Sequence, residues 1–238
     1  MTATALLVLA RCAGFASRAP GISHPSVPHA LRAGLALFLA VAIVPGLRPS
    51  HTPGGIGLIA ALALEFLLGA AIGMGASLLY DGAYAGGRML DDYVGVKAIA
   101  PSVQLVAPSG FGRVWSIAFT GGYFLLGAYR ITLPAFAQSF ERIAPGAPFD
   151  PHAWLAFGTT LAGTIVLVGT AVAGPAIALA FVVQVAVAAL TRTIPRFAGF
   201  SLSFPLVFGA ALLVTAVSIP LLAARAGYPI LPYPGSIR

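Results

Sequence analysis

Charge is what this 238-residue chain has least of. Lys and Arg number 13, Asp and Glu six, and the charged fraction is 8%, against about a quarter in a soluble globular domain. With 59% hydrophobic residues, a water-soluble fold of this size would have too little polar surface to cover itself. The scarcity excludes a self-contained soluble domain and leaves lipid, partner subunits or both as the surroundings. Cysteine is nearly absent too. Cys12 is alone, so there is no internal disulfide and no Cys-rich metal site; it reads as a small apolar residue in a helix. No long Ser/Gly-rich linker or charge block divides the chain, and residues 1–238 read as a single membrane domain. The formal net charge is +7, but the basic residues are scattered. They form no stripe for nucleic acid and are expected to flank membrane segments.

What is present in quantity is apolar sequence. A helix needs roughly 20 apolar residues to span the hydrocarbon core. Candidate spans run over 2–18, 31–47, 55–80, 114–137, 153–173, 175–191 and 203–224. The first has its basic residues after the apolar run, the reverse of a signal peptide, and reads as a retained membrane segment. The stretch 153–190 has no charge and is divided at Gly174-Pro175, where proline removes a helical hydrogen bond. Two spans or a re-entrant hairpin both fit. Barrel strands would alternate in polarity; these runs do not. The fold class is all-α, a multi-pass helical membrane protein with kinked helices.

Several of these helices are poor lipid-facing spans. Arg11, Glu65 and Arg130 lie within or at the ends of apolar runs, among 19 prolines and 28 glycines. Irregular, charged helices are tolerated at membrane depth when protein covers them. Basic residues fall in successive connections (Arg48, Arg88 with Lys97, Arg142, Arg192 with Arg196), so positive charge gives no orientation. Residues 81–113 form the longest polar region, with Asp81, Arg88, Asp91, Asp92, Lys97 and Gln104. Its apolar residues, Met89, Leu90, Tyr93, Val94 and Val96, recur at near-helical spacing. This predicts an amphipathic interfacial helix and then a turn around Pro108-Ser109-Gly110.

Gly69 and Gly73, followed by Gly75 and Ser77, place small residues on one helical face and allow a second helix to approach. Glu65 lies on that face. An ionisable group in a membrane helix is a functional candidate; the plainer role is an interhelical hydrogen bond with Arg11 or Arg32. Asp91 and Asp92 are adjacent on a helix and point about 100° apart, so they do not converge on a metal. A helix-surface or partner contact fits them better. His24, His29, His51 and His152 show no ligand spacing. No catalytic triad, phosphate loop or dinucleotide fingerprint is present. No enzyme and no cofactor is expected. Arg192 and Arg196 flank Pro195 at the end of an apolar helix, which reads alone as a basic helix stop.

Three segments in order carry a resemblance. "LARCAGFASRAPGISHPSVPHALRAGLAL" resembles the start of the FliR/SctT family of type III export-apparatus proteins, with Arg11, Pro20, Pro28 and Arg32 at the matching positions. "EFLLGAAIGMGASLLYDGAYAGGRMLDDYVGVKA" is similar to that family's Glu-led, Gly-rich helix and the element after it, through Glu65, Gly69, Gly73, Gly87, Asp91 and Gly95. "ALTRTIPRFAGFSLSFPL" resembles its Arg-Pro-Phe element, through Arg192, Pro195 and Phe200. Arg196 and Gly199 depart from it, standing where the family often has Gln and Asn. The element "LDDYVG" is nearer the injectisome branch than the flagellar one.

The resemblance covers about residues 5–220. It implies a subunit of a hetero-oligomeric export gate in the bacterial inner membrane, assembled with FliP/SctR-type and FliQ/SctS-type subunits and a FlhB/SctU-type switch protein. Unfolded proteins pass through that gate, and its energy is supplied by other components. On this reading the Gly-rich faces 69–77 and 158–174 meet neighbouring subunits. Gly87, Met89, Asp91, Asp92 and Gly95 sit near the pore or a gating contact, and Arg192 to Phe200 docks a partner. The other reading is a secondary transporter for a small solute, with Glu65 and Arg130 at the midplane; it would want two related halves, and the sequence shows no convincing repeat.

Overall fold

The computed structural model describes residues 3–24, 27–47, 54–95, 110–148, 150–194, 205–214 and 217. The described residues are helical: α1 (Ala3–Arg18), α2 (His29–Ile43, extended by a 3-10 turn Val44–Gly46), α3 (Ile56–Val94), α4 (Phe111–Leu125), α5 (Tyr129–Arg142), α6 (Pro151–Thr193) and α7 (Pro205–Val214). Among the described residues, three segments are long and apolar enough to cross a membrane: His29–Gly46, Ile56–Val94 and Pro151–Thr193.

Three boundaries differ from the sequence reading. The span expected over 55–80 does not stop there. α3 runs 39 residues to Val94, so the amphipathic stretch from Asp81 is its continuation. Gly82, Gly86 and Gly87 act as contact points rather than breaks: a Cβ on Gly82 would strike the Val168 side chain, one on Gly86 the Gly169 backbone, and one on Gly87 the Gly112 backbone. Close packing there offsets the helix cost of glycine, about 1 kcal/mol each. α3 ends where Gly95 turns left-handed, φ 79°, its N–H donating to the Asp91 carbonyl at 3.1 Å. Pro108 and Ser109 lie outside the described residues.

The division expected at Gly174-Pro175 is absent. α6 runs 43 residues with Pro175 inside it. Ala173, Ala176 and Ala180 on either side are fully buried, and their packing holds the helix across the missing hydrogen bond. Conversely, the run 114–137 is two helices. Leu126 donates to the Gly122 carbonyl at 2.9 Å, Gly127 takes φ 72°, and α5 begins after it. This is the left-handed glycine that commonly follows a helix C-terminus.

The described residues form two compact units. The first holds those up to Leu78 and Gly127–Ala162. Its core joins Val8, Cys12 and Phe15 of α1 to Ala36 and Ala40 of α2, Leu68 and Ile72 of α3, and Phe136 and Phe140 of α5. Phe15 stacks on Phe136 with ring centroids 4.2 Å apart. The second holds Leu79–Leu126 and those from Gly163 onward. There Leu90 of α3, Phe111, Trp115 and Phe119 of α4, Ala173, Ala176 and Ala180 of α6, and Val207 and Ala211 of α7 pack together.

Candidate functional site: a buried ion pair between crossing helices

In the first unit, α1 and α3 cross at glycines. A Cβ on Gly69 would fall on the Arg11 carbonyl oxygen, one on Gly14 on the Phe66 carbonyl oxygen, and one on Gly73 would lie 2.8 Å from the Phe15 carbonyl oxygen. Only glycine admits backbones this close. The approach has a chemical consequence. Glu65 is one helical turn before Gly69 on the same face, so the crossing that seats Gly69 on Arg11's backbone also brings Glu65 to Arg11's side chain.

The two charges meet as a bidentate pair. Arg11 Nε donates to Glu65 Oε2 at 2.5 Å and Nη2 to Oε1 at 3.0 Å. Arg11 Nη1 donates to the Ser139 carbonyl at 3.1 Å and reaches its Oγ at 3.5 Å, and Nη2 also donates to the Ile143 carbonyl at 3.0 Å. The Gly146 N–H donates to Glu65 Oε1 at 2.9 Å, and the guanidinium lies 4.2 Å from the Phe140 ring centroid. Arg11 is fully buried and Glu65 is 4% exposed. A buried ion pair loses hydration of several kcal/mol per ion and is tolerated only when its remaining donors and acceptors are met. Here each guanidinium N–H has an acceptor within the chain. The arrangement ties α1, α3, α5 and the turn after α5, and leaves no free donor for a passing solute.

The other predicted residues separate by role. Of the two partners considered for Glu65, the structure uses Arg11; Arg32 Nη2 donates instead to the His24 carbonyl at 2.6 Å. Arg130 lies over the Tyr129 ring, 5.9 Å from its centroid, and is not bonded to Glu65. Pro20 is buried just past α1, and Pro28 is the N-cap position of α2. In the second unit Asp91 is 2% exposed and accepts the Phe111 N–H at 3.0 Å. A carboxylate from α3 thus caps the start of α4 across 20 residues of sequence, where an acid is favoured. Gly87, one turn earlier, abuts Gly112. Met89 and Asp92 face outward, and Tyr93 donates to Gln184 Oε1 at 3.3 Å. Arg192 is exposed in the last turn of α6. Pro195 and Phe200 lie outside the described residues.

Sequence reasoning missed Gly14, Ser139, Phe140, Ile143 and Gly146. Gly14 had a signal, as a glycine one turn from Arg11 in an apolar helix. The carbonyls of Ser139 and Ile143 had none, since any residue supplies one.

An all-α membrane protein whose helices are locked by a satisfied internal ion pair is the class that this fold and site define. Its family follows from comparison with known proteins. The family described as Bacterial export proteins, family 1, matches residues 2–228, and the chain belongs to it. The flagellar biosynthetic protein FliR of Escherichia coli (strain K12) is 25% identical over 223 residues, covering 90% of this chain and 84% of that protein.

Proposed function

We propose that this chain is a membrane subunit of a type III protein export gate in the bacterial inner membrane, through which unfolded proteins cross. The observation that carries this reading is the family match over nearly the whole chain; a relative named for flagellar biosynthesis supports it. FliP/SctR-type and FliQ/SctS-type subunits are its proposed partners, with a FlhB/SctU-type switch protein beside them. The chain acts by shape and packing, and makes or breaks no bond.

The physical features fit such a subunit. α6 is 43 residues, roughly 64 Å at 1.5 Å per residue, about twice the hydrocarbon thickness. Exposed apolar residues run along it from Leu155 through Leu167 and Val182 to Leu190. Lipid alone cannot cover that length. Gly158, Gly163 and Gly174 have open space where a Cβ would lie, whereas Gly69 and Gly73 are occupied by α1. Gly169 rests on Gly82 and Gly86, so within 158–174 it is the open side at Gly158, Gly163 and Gly174 that is proposed to meet a neighbouring subunit, and the face at 69–73 packs within the chain. Arg192 and the segment after it form the proposed docking element, and exposed Met89 the proposed pore contact.

The test is co-purification. The tagged chain is expressed with and without its two small membrane partners in mild detergent, and the particle is weighed by native mass spectrometry. A hetero-oligomer is expected. A stable particle of this chain alone, in the partners' presence, would refute the gate.

A further inference from the structure

Stability alone does not account for Arg11 and Glu65, because well-packed apolar residues often replace a buried ion pair at no loss. What an apolar pair cannot supply is direction. Beyond their contact with each other, the two side chains bond three backbone groups. All three belong to the end of α5 and the turn after it: the Ser139 and Ile143 carbonyls accept from Arg11, and the Gly146 N–H donates to Glu65.

The turn is built to present that N–H. α5 stops where Ile143 becomes extended, φ −124° and ψ 99°. Ala147 then donates to the Ala144 carbonyl at 3.0 Å, closing a β-turn with buried Pro145 second and Gly146, φ 82°, third. Proline followed by a positive-φ glycine marks a type II turn. Its closing bond uses the N–H of the fourth residue, so the glycine N–H is left to an outside acceptor. Glu65 Oε1 is that acceptor, at 2.9 Å. Arg11 Nη2 donates both to the same Oε1 and to the Ile143 carbonyl, each at 3.0 Å. One ion pair, from residues 54 apart in sequence, therefore grips the turn at both of its ends.

α6 starts soon after, at Pro151. Asp150 caps it, accepting the His152 and Ala153 N–H groups at 3.0 and 3.4 Å, and Trp154 packs against the first unit's core. Gly158, one turn past Trp154, has open space on the side proposed to meet a neighbouring subunit. We propose that Arg11 and Glu65 are positioning residues for that side of α6. They fix the α5–α6 turn, and through it the start of α6 against the first unit, so that the chain is competent to assemble. Both are buried, and they act through the turn rather than by touching a partner. The assembly role rests on the export-gate reading above.

The test uses Arg11→Met/Glu65→Leu in the full chain, which removes the pair without leaving a lone buried charge. Amide hydrogen exchange is followed in the isolated chain in mild detergent. Exchange at Gly146 should quicken about tenfold or more, the loss of one charge-assisted bond, while α1 amides stay as slow as in wild type. Glu65→Gln keeps an acceptor oxygen for Gly146 without the charge and should fall between the two. Each chain is then co-expressed with the two membrane partners and the complexes are weighed by native mass spectrometry. The double variant should form several-fold less complex than wild type, with Glu65→Gln again between. Wild-type protection of Gly146 in the double variant would overturn the proposal. Equal quickening in α1 would reduce the pair to a general element of the fold and overturn it too, as would a loosened turn with wild-type complex yield. A wild-type chain that joins no partner would refute the gate reading and the assembly role with it, while exchange at Gly146 still decides whether the pair holds the turn.

Discussion

Arg11 and Glu65 show why a buried charge must be judged by its surroundings. Removing one partner leaves the other buried and uncompensated, at a cost of about 3–5 kcal/mol. Arg11→Met or Glu65→Leu alone should therefore lower the thermal unfolding midpoint sharply in detergent. The double change should recover much of that loss, because an apolar pair of similar volume no longer carries the desolvation cost. A double-mutant cycle measures this directly, and additive losses would mean that the two side chains do not act as a pair. Gly69 is equally constrained. Gly69→Ala sets a methyl group on the Arg11 carbonyl, so α1 and α3 must separate and the ion pair with them. Gly163→Leu places a larger side chain in open space. It should leave the isolated chain as stable or about 0.5–1 kcal/mol more so, and block assembly with the partner subunits. A complex that survives Gly163→Leu would remove α6's open face from the interface.

At the scale of elements, long helices are set by what covers them rather than by their breakers. α6 passes through Pro175 because buried alanines flank it, and α3 passes through Gly82, Gly86 and Gly87 because other helices rest on them. α4 depends on a neighbour for its first turn. Asp91→Ala removes the carboxylate that accepts the Phe111 N–H and should cost about 0.5–2 kcal/mol. The loss should appear as faster hydrogen exchange in the first turn of α4, with α1 unchanged. The joint at Gly127 is different in kind, since φ 72° penalises any side chain by about 1–2 kcal/mol. Gly127→Ala should destabilise the chain by that amount, read as a lower melting temperature, whereas Gly121→Ala, in open space within α4, should not. This joint was legible in the sequence as an apolar run closed by glycine. Flanks as apolar as a continuous span hide it.

At the scale of the whole molecule, the chain presents much more apolar surface than one bilayer covers. Exposed residues on α2 include Leu31, Leu37, Phe38 and Val41, and others extend along α3 and α6. α2 matches the bilayer in length, so lipid suits its outer face. α3 and α6 exceed it about twofold and call for protein. Expression without partners should therefore give a chain that is degraded or aggregated. Pulse-chase turnover with and without them checks this, and an equal lifetime in both strains would speak against an obligate assembly.

The sequence by itself determined the surroundings, the helical class, the Glu65–Gly69 face and the order of motifs that leads to the family. These rest on composition and on spacing along one helix, and spacing is local. Tertiary structure decided which cation meets Glu65, that Asp91 caps a helix 20 residues away, and that Gly174-Pro175 does not end α6. Each of those outcomes depends on atoms brought together from distant parts of the chain, and above all on backbone carbonyls and amides, which every residue carries and no sequence pattern distinguishes.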